Sequence, residues 1–586
     1  MNILSIFLSV VVGGLLGGAV DSNYQGRISQ FVAGPQSAAI ETFSPEQQAL
    51  GKGGWRGEHA GKWLYAASLS YARTGDETIG RQLVEVADRL LGWQEENGYL
   101  GCYRTDKRYY VRPSEEAMNV GWDVWINTYM LKGLCAVAQV TGQEKYLDAA
   151  ERIAGLMYDT FIVRGLKIAQ TGEHSGMVGT GSVEPLCDLY ALRPSPKVKA
   201  LILRCIEEMD TTPGLGLVDR LSKGLDVALV GNAKIYEMVR NLTGLAKAYS
   251  LLGEKTWLDA CLNGWTSIVN DHLTPLGGPW GGINLCQEVF NRDCCFAPWQ
   301  VTETCSVMEW MHLNKALLDI TGEARFAAEL EKSVYNALMA ARATDGLRWI
   351  YYVRTNGVYG RGNEWSCCWS SGMIAVEDIA NYLYTTSGKT VYANILSPST
   401  AELTLDNGKK AAFRQEGNYP FEGQTSFVIT EAGSWTLAIA RPGWADSVSF
   451  ELNGTRLMHV KENKGYWCFK QDWKAGDRLT VTLPYGTRRI ERVREYTHET
   501  RWGFNAWYLG HREHYVCYAQ GPLVYLADYA DAVDKPNPLT LSRDEAEAVQ
   551  IDAHRFCVNG TEFRPACQMP PYEGTDFRTL WIKVND

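Results

Sequence analysis

Two adjacent thiols, Cys367 and Cys368, and the tripeptide Glu303-Thr304-Cys305 supply three sulfur donors and one carboxylate. Zinc accepts thiolate sulfur and carboxylate oxygen in one tetrahedral shell, and it would hold such thiols deprotonated at neutral pH. The set is a candidate metal site, against the plainer reading that these cysteines are small buried apolar side chains. A further carboxylate, Glu288, follows the Gly281-Gly282 turn. It can work as a general acid and base if its loop lets it face a leaving-group oxygen; otherwise it is a solvated loop residue. Glu364 is a rival carboxylate, read as a supporting or surface group. Cys294-Cys295 can line the pocket, respond to oxidant or simply pack, and residue type does not choose among these. His511-Arg512-Glu513-His514 has the wrong spacing for a zincin motif and reads as surface.

These residues sit in a chain whose pattern changes once. From Gly54 to about Ser387 amphipathic helices recur, broken at Thr74-Gly75, Thr141-Gly142, Arg193-Pro194-Ser195-Pro196, Leu252-Gly253 and Thr321-Gly322. A glycine after the last helical turn suits a left-handed C′ position, and helix pairs repeated at this period stack and close into a toroid. The spacing therefore predicts an α/α barrel over 54–388. After about Thr390, short alternating runs separated by Asp-Asn-Gly, Pro-Gly and Asn-Gly turns predict an antiparallel β-sandwich over 389–535. Residues 536–586 read as a small β-rich extension, and residues 1–53 as a lead-in segment.

Composition narrows the partners. The 586 residues carry 57 Lys+Arg against 67 Asp+Glu, a net charge of −10 without any basic stripe, so neither nucleic acid nor an anionic membrane is expected as a partner. The 20 Trp and 30 Tyr suit flat, partly apolar ligands such as sugars, although large cores use them too. Fifteen scattered cysteines, two pairs of them vicinal, suit a reducing compartment. The expectation leans cytoplasmic. The apolar, glycine-rich run Ile3–Val20 offers the alternative of a signal-like start for export, although no Lys or Arg precedes it; its other reading is a strand and turn opening the domain. Oligomeric state is left open, a homodimer included.

The segments Gly281-Gly282-Ile283 with Gln287-Glu288-Val289-Phe290, Glu303-Thr304-Cys305 and Trp365-Ser366-Cys367-Cys368-Trp369 resemble those of the zinc-dependent β-L-arabinofuranosidases, glycoside hydrolase family 127. The similarity extends to Trp55-Arg56-Gly57-Glu58-His59-Ala60-Gly61-Lys62-Trp63-Leu64, Arg441-Pro442-Gly443-Trp444-Ala445 and Gly521-Pro522-Leu523-Val524-Tyr525, nearly the whole chain in the family's order. The resemblance implies an (α/α)6 barrel with β-sandwich domains and a carbohydrate substrate. It implies zinc on Glu303, Cys305, Cys367 and Cys368, with Cys367 as nucleophile and Glu288 as acid and then base, a thiolate replacing one carboxylate of a retaining glycosidase. Tyr352 matches a tyrosine the family places near the nucleophile, where it would hydrogen-bond sugar or sulfur and count among the substrate-binding residues; its plain reading is a strand residue packed in the core.

The sugar-binding residues depart from the family. Three histidines of the arabinofuranosidases fall at Trp122, Gly179 and Glu237, none of them histidine here, and Cys-Ala-Cys-Cys-Pro becomes Trp-Ser-Cys-Cys-Trp. Trp122 and Glu237 are then expected to touch the sugar. A pocket that hydrogen-bonds hydroxyls discriminates strongly, so this one is expected to take arabinofuranose or a related unusual sugar of plant-type glycans. Two alternatives stay open: a non-catalytic glycan-binding protein whose zinc is structural, and a polysaccharide lyase on an α/α toroid.

Overall fold

The computed structural model describes residues 9–51, 54–111, 121–282, 288–291, 296–343, 347–361, 363, 365–495, 511–528, 539–569 and 577–585. Cys294-Cys295 and Glu364 lie outside them. Among the described residues, twelve principal helices form six pairs: α1 (Gly14–Asn23) with α2 (Glu58–Thr74), α3 (Glu77–Leu91) with α4 (Asp123–Thr141), α5 (Lys145–Tyr158) with α6 (Val183–Leu192), α7 (Pro196–Thr211) with α8 (Ile235–Leu252), α9 (Lys255–Asp271) with α10 (Thr304–Thr321), and α11 (Ala324–Lys332) with α12 (Cys367–Glu377). The even-numbered helices pack on one another in turn, and α12 returns against α2 to close the ring. The odd-numbered helices lie outside, which makes this the expected (α/α)6 barrel.

Sequence explains the two layers. Helix α4 is buried without a break from Asp123 to Ala138, as an inner helix must be. Outer helix α3 buries Ile79, Gly80, Leu83, Val86, Ala87 and Leu90, one stripe at three- and four-residue spacing. The Thr-Gly and Leu-Gly breaks end inner helices α2, α4, α8 and α10, with Gly75, Gly142, Gly253 and Gly322 at φ of 64°, 66°, 82° and 64°. Outer helices restart at once from capping carboxylates: Asp76 accepts from Thr78 N–H, and Glu254 from Thr256 N–H. Each inner helix therefore runs the same way, and their N-termini gather at one end.

The lead-in segment belongs to both halves of the molecule. Strand β1 (Ser9–Val12) pairs antiparallel with Ser399–Thr404 of the sandwich, Val10 opposite Ala401, so the strand of the strand-and-turn reading is present, but from Gly14 the run continues as helix α1 rather than a turn. Helix α1 and the turn that follows it, with Leu16, Ala19 and Val20 buried, pack on α12 and α2 as the sixth outer element. The helical shell thus starts well before residue 54. No helix among the described residues is long and apolar enough to cross a membrane.

Two β units follow. In the first, described sheets of seven and five strands face each other across Phe413, Phe427, Trp435, Phe450 and Phe469. The second is a larger sheet joining Thr487–Glu495, Arg512–Gln520 and Leu523–Asp528 to the strands between Thr540 and Asn585. The sheets thus divide near residue 485, not 535, because Thr487–Glu495 pairs with Arg512–Gln520 rather than with the sandwich. Residues 536–586 are part of that second sheet, whose Phe577–Thr579 pairs with barrel strand Asn356–Val358. The barrel also holds the sandwich through outer helix α11. Tyr419 Oη and Trp444 Nε1 donate to Glu331 at 2.6 and 3.3 Å, and burial pushes this carboxyl up to about 7.

Two outcomes are expected. A Cβ on Gly61 would lie 2.5 Å from the Tyr129 carbonyl carbon, and one on Gly133 2.8 Å from the Gly61 oxygen, so α2 and α4 touch backbone to backbone. Gly61→Ala should lower stability by about 1–3 kcal/mol in urea unfolding, as overpacking of a tight core does. Glu331 is neutral in the fold and an ordinary carboxyl when unfolded, so its stabilising share is whole at acid pH and is lost as pH rises through about 7. Glu331→Gln should therefore gain on the parent protein by up to about 3 kcal/mol between about pH 5 and pH 8; a difference in unfolding free energy that stays flat across that range would contradict this.

Candidate active site

At the gathered N-termini the barrel opens into a cavity of about 690 Å³. Its lining comes from the first residues of the inner helices and the turns just before them: Glu58, Trp122 and Trp125, Tyr236 and Glu237, Glu303, and Cys367. Helix N-termini favour negative charge, so a ring of them is a suitable place for thiolates and carboxylates.

A small sheet delivers the acidic end. Strand β2 (Val301–Glu303) pairs with β3 (Ile350–Arg354), Glu303 opposite Tyr352, and then turns directly into α10, which carries Cys305. Cys367 and Cys368 open α12, the neighbouring inner helix. The donor atoms of Glu303, Cys305, Cys367 and Cys368 all lie within 4.8 Å of one another. Cys305 Sγ is 3.2 Å from Cys367 Sγ and 3.5 Å from Cys368 Sγ, and Glu303 Oε1 is 3.7 and 4.0 Å from those two sulfurs. A tetrahedral shell with metal–sulfur bonds of about 2.3 Å has edges of about 3.8 Å, so the donor set fits one divalent ion.

Without an ion the proton inventory is uneven. Hydrogen bonds from Cys305 and Cys368 hold the Cys367 thiol well below its ordinary value, aided by the buried Lys62 ammonium and the Tyr351 hydroxyl. Burial pushes Cys305 and Cys368 well above theirs, and burial with the nearby Glu288 charge does the same to Glu303. The lowest-lying thiol of the three is thus Cys367, the partly exposed member that lines the cavity.

Glu288 reaches the same cavity. Tyr352 Oη donates to its Oε1 at 2.5 Å, and Lys234 Nζ lies 2.9 Å from its Oε2. Burial works against the Glu288 charge, but Lys234 and Tyr352 overrule it and keep the carboxyl below its ordinary range. Lys234 Nζ also lies 3.2 Å from Glu237 and 3.6 Å from Glu303. Trp122 stands edge-on to His174, whose Nε2 is 3.8 Å from Glu237 Oε1.

Of the described residues singled out from the sequence, Glu288, Glu303, Cys367, Trp122 and Glu237 line the cavity, Cys305 and Cys368 sit behind Cys367, and Tyr352 joins through Glu288. One detail is corrected. The tyrosine beside the nucleophile is Tyr351, its Oη 3.6 Å from Cys367 Sγ, while Tyr352 serves Glu288. Gly179 does not reach the cavity, since a Cβ there would lie 2.4 Å from the Ile168 oxygen. The histidine that does reach it is His174, five residues earlier. Lys234, Tyr351 and His174 were all missed. Lys234 left the clearest trace, a basic residue just before an apolar helix with Glu237 three residues on. Behind the cysteines, Glu58 accepts from Trp125 Nε1 and pairs with Lys62, and burial first, then Lys62, drops His59 to about 3.

An (α/α)6 barrel whose mouth holds carboxylates and a thiolate between tryptophan walls is the arrangement of an enzyme working on carbohydrate. The chain belongs to the β-L-arabinofuranosidase family GH127 and is a glycosidase: the family's catalytic-domain model matches residues 25–381 and its middle-domain model 390–485. It is 22% identical over 524 residues, 80% of this chain and 75% of that protein, to the non-reducing end beta-L-arabinofuranosidase of Bifidobacterium longum subsp. longum. Two solved structures share the fold. The GH127 beta-arabinofuranosidase BT3674 has a TM-score of 0.76 at 19% identity, covering 98% of this chain and 97% of that one. Ara127N from Geobacillus stearothermophilus T6, a GH127 beta-L-arabinofuranosidase, has a TM-score of 0.75 at 18% identity, covering 98% and 100%.

The uneven proton inventory has a direct readout. In metal-free protein at mildly acid pH, iodoacetamide should alkylate Cys367 at least about tenfold faster than Cys305 or Cys368, because only a thiolate reacts. Equal labelling of the three in peptide mass spectra would refute the assignment.

Proposed function

We propose that the chain is a zinc-dependent retaining glycosidase that releases arabinofuranose or a closely related sugar from plant-type glycans, with Cys367 as nucleophile and Glu288 as acid and base. The observation that carries this is the joining, on one cavity wall, of Glu303 and Cys367 of the four-donor cluster with Glu288, a carboxylate that a purely structural metal site does not need. Zinc held by those four residues would keep the sulfurs ionised and fixed in place.

In the first step Glu288 gives its proton to the glycosidic oxygen while Cys367 Sγ attacks the anomeric carbon; the C–O bond breaks and a C–S bond forms. In the second, Glu288 takes a proton from water, which displaces the sulfur. The tryptophan walls exclude water from the sugar faces, and Glu237 and His174 are positioned to meet hydroxyls. With Lys234 and Tyr352 upon it, Glu288 rests ionised, ready for the second step. Its protonated fraction, needed for the first, grows as pH falls, so kcat/KM should rise from about pH 8 toward pH 5. Localisation follows the cysteine usage: we read the protein as cytoplasmic.

Aryl β-L-arabinofuranosides test the reading. Cys367→Ala should abolish turnover, and Glu288→Gln should lower it about 10²–10⁴-fold, the usual worth of a general acid–base. Stripping the metal with a chelator should abolish turnover, and adding zinc back should restore it. Unchanged turnover in Glu288→Gln would remove Glu288 from the mechanism, and a zinc-loaded parent chain that binds glycan without turning it over would instead favour a glycan-binding protein with a structural metal.

A further inference from the structure

Lys234 breaks three local rules at once. It occupies the N-cap of α8, where Ser, Thr, Asp or Asn is preferred and where the helix dipole repels a cation. Its side chain is only 5% exposed, a poor place for an ammonium. The residue before it, Ala233, has φ of 59°, a left-handed conformation that strains a non-glycine residue. None of these choices favours stability. They have one consequence in common, which is where Lys234 stands relative to Glu288.

The contact is made twice. Along the backbone, Lys234 bridges antiparallel to Val289, with Ile235 N–H donating to Glu288 O and Phe290 N–H to Ala233 O, both at 3.0 Å. At the side chain, Nζ meets Glu288 Oε2 at 2.9 Å while Tyr352 holds Oε1. The same ammonium is anchored from behind by Glu237 and Glu303. Among the described residues, Lys234 and Tyr352 are the side chains that hold the Glu288 carboxyl, one on each oxygen.

Building on the proposed role of Glu288, we infer that Lys234 is the positioning residue for the acid and base. The strained Ala233 turn drives a buried ammonium out of the α8 N-terminus to hold the Glu288 carboxyl against the glycosidic oxygen. Lys234 does not touch the reacting bond; it acts through Glu288.

The test compares a p-nitrophenyl and an alkyl β-L-arabinofuranoside with the full-length, metal-loaded chain. A residue that acts through the general acid matters most where the leaving group needs a proton. Lys234→Met should lower kcat at least about 100-fold on the alkyl glycoside and no more than about tenfold in the glycosylation step on the nitrophenyl one, with KM little changed. Added to Glu288→Gln, Lys234→Met should cost no more than about two- to threefold further, since a positioning residue has nothing left to position. Zinc content should stay at the parent level. Should the methionine variant not accumulate, Lys234→Gln carries the same comparisons. Equal losses on both glycosides, multiplying losses in the double variant, or a loss that tracks departing zinc would each overturn the inference. A Lys234 variant with full activity beside an impaired Glu288→Gln would overturn this inference alone, whereas full activity in Glu288→Gln would remove the proposed mechanism with it.

Discussion

The structure turns on gathering negative charge. Three sulfurs and two carboxylates, Glu303 and Glu288, gather at one cavity, which Cys367 and both carboxylates line, and an uncompensated group of this kind could not be buried. Compensation arrives from three directions: the positive ends of the inner helices, the buried ammonium of Lys62 behind the cysteines, and that of Lys234 between the carboxylates. A metal ion in the four-donor cluster would add the rest. Burial still leaves its mark, because the protons that remain go to Cys305, Cys368 and Glu303, and the one low-lying thiol is the one that faces the cavity.

That constraint accounts for the architecture. An (α/α)6 barrel alternates direction between its layers, so all inner N-termini meet at one end, and no single helix has to carry the site. The Thr-Gly and Leu-Gly stops help, since a left-handed glycine ends α2, α4, α8 and α10 abruptly and an outer helix can restart within two or three residues. The contact of α2 on α4 through Gly61 and Gly133 sets Glu58 within reach of Trp125. The small sheet of β2 and β3 sets Glu303 against Tyr352. In both places the geometry of the site rests on backbone contacts.

Much of this was legible in residue types. The glycine stops marked the ends of inner helices, the change to alternating runs near Thr390 marked the β region, and the Glu-x-Cys and Cys-Cys pairs marked the cluster. What escaped is what depends on pairing across long separations. Tyr351 and Tyr352 are neighbours in a strand, and which of them meets the cysteine is decided by the register of β3 on β2, where a shift of one residue exchanges the faces. The division of the β units near residue 485 depends on Thr487–Glu495 choosing Arg512–Gln520 as partner, which local patterning does not encode. His174 escaped because it sits in a loop, held by its own left-handed backbone at φ of 54°. Lys234 escaped because its partners lie 54 and 69 residues further along the chain, at Glu288 and Glu303.

The departure from the arabinofuranosidases at the sugar wall follows the same electrostatics. Where the family resemblance implies histidine, this chain has Glu237, and Lys234 stands three residues before it, against Glu237 and Glu288 together. A neutral imidazole can donate or accept by changing tautomer, whereas a carboxylate held by an ammonium only accepts. In the proposed reading, the sugar hydroxyl that meets Glu237 must therefore present its hydrogen, while His174 keeps the freedom to do either. Trp122 in turn offers an apolar face where a histidine would offer a hydrogen bond, which favours a sugar that presents C–H rather than O–H at that point. A pocket altered in this way discriminates by hydroxyl orientation, and the unpaired partner left by a wrong sugar costs far more than a misplaced methylene group. In that reading the catalytic cluster and the sugar wall are not independent, because Lys234, at the start of α8, meets Glu237 with the same ammonium that holds Glu288 and approaches Glu303.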